Sequence, residues 1–149
     1  MTKLLIPGLA LLALARPVAA QQPADTSLYV RLGGVYAIAL VVDDFVDRLE
    51  RNSVILANPA VREAFGQVPK AGLKYRITEL VCQVTGGPCQ YSGKEMGESH
   101  ESLGITEREW QAMVGEFYRA LRRFNVPTQE QRDLVAVVAS TKGTIVTAP

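Results

Sequence analysis

The stretch GGPCQYSGKEMGESH, residues 86–100, ends in the only histidine of the 149-residue chain. The Gly86-Gly87 pair predicts the end of a preceding helix, and Pro88 prevents that helix from continuing. After His100, the sequence LGIT and an acidic amphipathic run predict a turn and a new helix. The stretch therefore holds one histidine on a short, glycine-punctuated element between two long helices.

Helical periodicity dominates the chain on either side of this stretch. Apolar residues at spacings of three and four predict helices at 27–31, 35–51, 59–64, 70–84, 106–124 and 128–144. Asn58-Pro59 is a typical N-cap and first-turn pair, and Thr106 with Glu109 fits a capping box. Thr128 with Gln131 fits a second capping box. No alternating pattern competes, so the predicted fold class is all-α.

Composition indicates one globular domain that can bury a core, because 48% of the residues are hydrophobic and 21% are charged. Acids and bases are mixed, and the formal net charge is +1. There is no basic stripe, and we expect no nucleic-acid partner.

The first twenty residues resemble a signal peptide. Lys3 provides a positive charge, residues 4–14 are apolar, and small residues precede Gln21. We expect residues 1–20 to be a signal peptide, 21–26 a flexible tail and 27–149 the folded domain. The protein would then be exported, periplasmic or secreted, with no stable membrane span after signal removal. An uncleaved membrane anchor is the alternative.

Two motifs carry a family resemblance. GGPxxYxGxxMxxxHxxLGIT covers residues 86–106, and SLYxRLGGxxAIxxVVDDFxxRL covers residues 27–49. Both resemble signatures of the group I truncated haemoglobins, in the family's order. The resemblance implies a truncated globin with a two-over-two helical sandwich around a haem b (iron protoporphyrin IX) cavity. The connection before Phe65 is about six residues longer than in that family, and loops tolerate such insertions.

The resemblance assigns candidate haem-binding residues. His100 would be the proximal metal ligand, with its second ring nitrogen donating to a backbone carbonyl. A lone histidine without this context is more commonly a surface or capping residue. Phe65 would stack on the haem, although core filling alone explains an aromatic there. The other expected contacts are Leu73, Arg76, Ile77, Tyr91, Lys94, Met96, Trp110, Met113 and Val138. Arg76, Tyr91 and Lys94, together with Lys74, lie where the family meets the haem propionates; solvated surface charges are the alternative for the two lysines.

The distal side departs from the family pattern. Val46 stands where the family often has a tyrosine whose hydroxyl donates to bound dioxygen. Leu73 and Ile77 stand where polar residues are frequent. None of these three side chains has a polar hydrogen, so the sequence predicts an apolar distal pocket and fast O2 release. Tyr36 or Tyr75 remains an alternative donor.

Three functions remain open at this point. The resemblance favours a haem protein that reversibly binds a diatomic gas (O2, or NO or CO) over an enzyme. A haem enzyme that removes nitric oxide or peroxide is the second, and it would need a separate reductase because the chain has no flavin or nucleotide motif. An apolar distal pocket lacks the acid–base group that peroxide cleavage requires. A haem-free sensor or interaction module is the third.

Two further features allow alternative interpretations. In an exported protein Cys82 and Cys89 could form a disulfide, or Cys82 could be a small buried residue and Cys89 a loop thiol. Asp43, Asp44 and Asp47 could suggest a cation site. They lie on the polar face of a predicted helix, which favours a solvated face with ion pairs.

Overall fold

The computed structural model describes residues 27–149, and the predicted signal peptide and tail lie outside them. This part of the chain is helical, with no strand and one isolated bridge between Ile105 and Val146. The α-helices are α1 (Leu28–Arg31), α2 (Gly34–Leu49), α3 (Pro59–Gln67), α4 (Lys70–Val84), α5 (Met96–His100), α6 (Glu107–Arg123), α7 (Thr128–Ala139) and α8 (Lys142–Ile145). A 3₁₀ turn, Ile55–Ala57, precedes α3. The predicted all-α class is confirmed.

Helix α2 is the centre of the fold because it packs on both α4 and α6. Its buried face contains five apolar residues at helical spacing, namely Ile38, Val41, Val42, Phe45 and Val46. The Phe45 ring lies 5.0 Å from the Phe117 ring of α6, centroid to centroid. Burying each large apolar side chain contributes about 1.5–3 kcal/mol, which outweighs the weak helix propensity of the β-branched residues.

The helix starts follow the predicted caps. The Ser27 hydroxyl accepts from the Val30 amide at 3.4 Å, and Asn58 accepts from the amides of Ala60 and Val61. The capping box of Thr106 and Glu109 is present in both directions. Hydrogen bonds of this kind contribute about 1 kcal/mol each and fix where the chain turns into a helix.

The C-terminal helix differs from its prediction in two ways. Thr128 does not cap α7; Pro127 precedes the helix, and the Gln131 side chain donates to the Val126 carbonyl instead. The helix also breaks after Ala139, because the hydroxyls of Ser140 and Thr141 donate to backbone carbonyls three residues earlier. Short polar side chains compete with the helix in this way. The remaining turn becomes α8, which packs on α5.

A disulfide joins Cys82 of α4 to Cys89 in the loop that leads to α5, with a Cα–Cα distance of 5.7 Å. Of the two interpretations of these cysteines, the structure has the disulfide. Gly86 turns the chain at φ +89°, which favours glycine. Gly87 packs so closely that a Cβ there would lie 2.5 Å from the Tyr29 ring and 2.7 Å from the Cys82 sulfur. The loop is therefore held against the end of α4.

Ion pairs connect the polar faces of the helices. Lys74 of α4 pairs with Asp43 at 2.6 Å and with Asp47 at 2.8 Å on α2. Asp44 pairs with Arg123 of α6 at 2.9 Å. The three aspartates thus belong to interhelical ion pairs, as expected for a polar helix face. Among the helices of residues 27–149, none is long and apolar enough to cross a membrane.

Candidate functional site

His100 is the last residue of α5, a helix of five residues. The helix is short because the loop before it contains Gly93 and because a turn follows at once, where the Leu103 amide donates to the His100 carbonyl at 3.0 Å. The imidazole is half-buried. A short element of this kind presents one ring to the interior without the bulk of a long helix.

The His100 ring is oriented by its own helix. Its Nδ1 lies 2.9 Å from the Met96 carbonyl oxygen. Because a carbonyl oxygen can only accept, Nδ1 carries the hydrogen and donates it. The Ser99 hydroxyl lies 3.2 Å from the same nitrogen and donates to the Glu95 carbonyl. A ring that donates through Nδ1 in this way can offer the lone pair of Nε2 to a metal ion.

The apolar candidate residues lie around the junction of two core clusters. Leu73 and Ile77 pack on the first cluster, which α2, α4, α6 and α7 form. Phe65, Met96 and Trp110 belong to the second cluster, around α3, α8 and the start of α6. Met113 and Val138 contact both clusters.

Most of these side chains are more exposed than those of a closed hydrophobic core. Trp110 is buried, whereas Leu73, Ile77, Phe65, Met96, Met113 and Val138 are only half-buried. Apolar surface left half-covered between two clusters suits a flat apolar ligand. With one imidazole nitrogen available beside it, this donor set fits haem: a nitrogen ligand for iron and an apolar surround for the macrocycle.

The distal candidates remain apolar in the fold. Val46 is fully buried in the first cluster, against which Leu73 and Ile77 pack. The two tyrosines considered as alternative donors face solvent, since Tyr36 is 86% exposed and Tyr75 is 60% exposed. A hydrogen bond with Glu79 is the main reason that the pKa of Tyr75 is raised.

The charged candidates have protein partners. Arg76 pairs with Glu79 at 3.2 Å, and Lys94 pairs with Glu98 at 3.1 Å. The Tyr91 hydroxyl donates to the Lys94 carbonyl at 2.8 Å. Arg76 and Lys94 are exposed, and exposed pairs of this kind are weak enough to exchange partners. Their assignment to propionates stays a prediction.

Sequence reasoning missed two contributors. Ser99 contacts the His100 ring, and its only signal was a hydroxyl next to the single histidine. Leu49 contacts both core clusters, like Met113 and Val138. Apolar spacing along a helix does not show which cluster such a residue contacts.

Comparison with known proteins shows the family to which the chain belongs. The model of the bacterial-like globin family matches residues 27–147. The group 1 truncated haemoglobin LI410 of Chlamydomonas moewusii is 28% identical over 125 residues, covering 83% of this chain and 70% of that protein. GlbN, a group 1 truncated haemoglobin of Synechocystis, is 28% identical over 122 residues, covering 79% and 90%.

Solved structures show the same fold. The truncated haemoglobin of Tetrahymena pyriformis in its Fe(III) form superposes with a TM-score of 0.69 at 21% identity, covering 81% of this chain and 98% of that one. The 2/2 haemoglobin of Synechococcus sp. PCC 7002 gives a TM-score of 0.67 at 24% identity, covering 81% and 98%. The chain belongs to the bacterial-like globin family, and its fold is that of a truncated haemoglobin. Membership of this family implies haem binding and a gas ligand.

Proposed function

We propose that this globin binds haem b through Nε2 of His100 and reversibly binds a diatomic gas, O2 in the first place, in an apolar distal pocket. The observation that carries the proposal is the orientation of His100, whose Nδ1 donates to the Met96 carbonyl at 2.9 Å and leaves Nε2 for iron. Haem, when bound, would supply the iron coordination site for the gas, and His100 would hold the iron.

Each group of residues has a separate task in this proposal. The Met96 carbonyl and Ser99 hold the imidazole plane, and their hydrogen bonds raise the basicity of Nε2. The half-buried apolar side chains around the two clusters would cover the macrocycle and exclude water. Val46, Leu73 and Ile77 offer no hydrogen-bond donor to the gas.

The absorption spectrum of the haem-saturated protein tests the proposal. The wild type is expected to show a Soret band, and His100→Gly is expected to lose the five-coordinate ferrous spectrum. Added imidazole should restore it by filling the space of the lost ring. Ser102→Ala serves as a control, because it removes an exposed hydroxyl near the histidine that is not among the partners of the ring. A wild type that stays colourless with excess haem would contradict the proposal.

A gas-binding role is favoured over nitric oxide or peroxide chemistry by one observation. The side chains of Tyr36 and Tyr75 are exposed to solvent, and Val46 is fully buried. No described side chain at Val46, Leu73 or Ile77 can move a proton, which peroxide cleavage requires. Turnover of nitric oxide with bound gas would further need a separate reductase.

We also propose that the protein is exported, with cleavage between Ala20 and Gln21. The apolar run of residues 4–14 and the small residues before Gln21 support this. The Cys82–Cys89 disulfide is consistent with an oxidising compartment. Mass spectrometry of the protein from its native host should find Gln21 at the N-terminus. An intact Met1 on the mature protein would contradict processing.

A further inference from the structure

The Asn58 side chain lies where three elements meet. Its Oδ1 accepts from the amides of Ala60 at 3.0 Å and Val61 at 3.4 Å, at the start of α3. Its Nδ2 donates to the Leu103 carbonyl at 2.9 Å. Glu109 of α6 lies close enough for the Asn58 side chain to help lower the pKa of its carboxyl group.

The three connected elements surround the candidate haem site. Helix α3 carries Phe65, and α6 carries Trp110 and Met113. Leu103 lies in the turn that directly follows His100, where its amide donates to the His100 carbonyl. The turn continues through Gly104 at φ +57° and has no regular helix of its own. The Asn58 bond to Leu103 therefore holds the turn to α3.

Glu109, which lies beside Asn58, is itself held in place by hydrogen bonds. The Glu109 carboxylate accepts from the Thr106 amide at 2.7 Å and from the Thr106 hydroxyl at 2.6 Å. Burial would raise the pKa of Glu109, but the hydrogen bonds from Thr106 and Asn58 outweigh it and lower that pKa. The carboxylate is thus ionised near neutral pH and is a strong acceptor for Asn58.

We propose that Asn58 is a positioning residue for His100. It fixes the turn after the histidine against the helices that carry Phe65 and Trp110, and so sets the angle at which the imidazole meets the cofactor. This inference rests on the proposed function. An N-cap alone would need only the Oδ1 acceptor, which Asp or Ser supplies equally well. The Nδ2 hydrogens of Asn58 are the part that acts on the turn, through the bond to the Leu103 carbonyl.

The chain contains a matched control for removing those donors. Asn52 also accepts two backbone amides through Oδ1, from Val54 at 3.0 Å and Ile55 at 3.2 Å, and donates Nδ2 to the Glu116 carboxylate at 2.7 Å. Asn52→Asp and Asn58→Asp make the same chemical change, each beside a glutamate. Only Asn58 touches the turn after His100.

The experiment compares these variants by resonance Raman of the ferrous protein and by haem transfer to excess apomyoglobin. Asn58→Asp is expected to shift or broaden the iron–histidine stretching band and to accelerate haem loss about tenfold. Asn52→Asp should leave the band unchanged even if it lowers Tm. If Asn58→Asp fails to fold, Asn58→Ser is the second variant. It keeps a neutral oxygen that can cap α3, but its side chain is too short to reach Leu103. Equal bands in wild type and Asn58 variants would overturn the proposal.

Amide hydrogen exchange of the full chain, with and without added haem, separates this inference from the proposed function. Faster exchange in residues 101–106 of the Asn58 variants, beyond that in Asn52→Asp, supports the fixing of the turn in either state. Normal haem binding with unchanged exchange and an unchanged band overturns the role of Asn58 and leaves the function intact. A wild type that binds no haem overturns the function, while the exchange data still decide whether Asn58 holds the turn.

Discussion

The sequence resemblance places Val46 where the truncated haemoglobins often have a tyrosine. The side chain is fully buried among apolar neighbours on α2. Bound dioxygen carries partial negative charge on its outer oxygen, and a charge-assisted hydrogen bond to it would contribute about 1.5–3 kcal/mol. The fold provides no such donor at Val46, Leu73 or Ile77, and the exposed positions of Tyr36 and Tyr75 leave the apolar interpretation in place.

Val46→Tyr tests this interpretation against Val46→Phe. Both variants add a ring to the core and carry a similar overpacking cost of about 1–3 kcal/mol. Only the tyrosine adds a hydroxyl. O2 release is expected to be about tenfold slower in Val46→Tyr than in Val46→Phe, while carbon monoxide release differs much less. Stopped-flow release rates provide the measurement. A wild type that already releases O2 as slowly as the tyrosine variant would show that another donor reaches the ligand.

At the scale of elements, the loop from Gly86 to Glu95 connects the two sides of the candidate site. Helix α4 carries Leu73 and Ile77, and the loop leads directly into α5. The disulfide fixes the loop to α4, and the Tyr91 amide adds a hydrogen bond to the Gln83 side chain at 2.6 Å. Cys82 is fully buried and Cys89 is half-buried, so a reductant reaches the disulfide through the Cys89 sulfur.

Loss of the disulfide is expected to loosen the loop without unfolding the helices. Closing a loop of this length is worth about 2–3 kcal/mol in the chain-entropy model. We expect Cys89→Ala to lower Tm, measured by far-UV circular dichroism, and to accelerate haem transfer to apomyoglobin. Treatment with a thiol reductant should reproduce the loss in the wild type and have no further effect on Cys89→Ala. Equal Tm values in reduced and oxidised wild type would show that the loop is held without the disulfide.

Elements also show what the sequence could and could not predict. Helices α2, α4 and α6 follow from apolar spacing, and the start of α6 also follows from its capping box, which are properties of neighbouring residues. The break after Ala139 was missed because Ser140 and Thr141 are compatible with a helix until their hydroxyls bond to the backbone. Asn58 was predicted as a cap, yet its bond to Leu103 spans 45 positions. Contacts of that kind depend on the tertiary fold and have no local signature.

Across the whole molecule, ion pairs join helices that are distant in sequence. Arg31 of α1 pairs with Glu130 and Asp133 of α7 at 2.7 and 2.6 Å, and Lys142 of α8 pairs with Glu107 of α6 at 2.8 Å. The pKa values of Asp47, Glu107, Glu109 and Asp133 are all lowered in the fold. A carboxylate with a lowered pKa stabilises the folded state at neutral pH, and folding therefore weakens on acidification.

The pair between Lys74 and Asp47 allows this acid dependence to be measured. The Lys74 hydrogen bond is the main cause that lowers the pKa of Asp47 below 3.8, against burial, which raises it. The stabilisation is therefore present above about pH 4 and is lost as the pH falls through the lowered folded-state pKa. Lys74→Met keeps the apolar stem and removes the ammonium, which should lower the free energy of unfolding by up to about 1 kcal/mol at pH 6.

The difference between wild type and Lys74→Met should shrink as the pH falls from about 4 to about 2, because protonated Asp47 no longer attracts Lys74. Arg62→Met is the control, since Arg62 donates to the Leu56 carbonyl, which does not titrate. Its effect on stability should stay the same across that range. Urea unfolding followed by circular dichroism at several pH values provides both comparisons. A Lys74→Met difference that persists at pH 2 would mean that the lysine stem, and not its charge, stabilises the contact between α2 and α4.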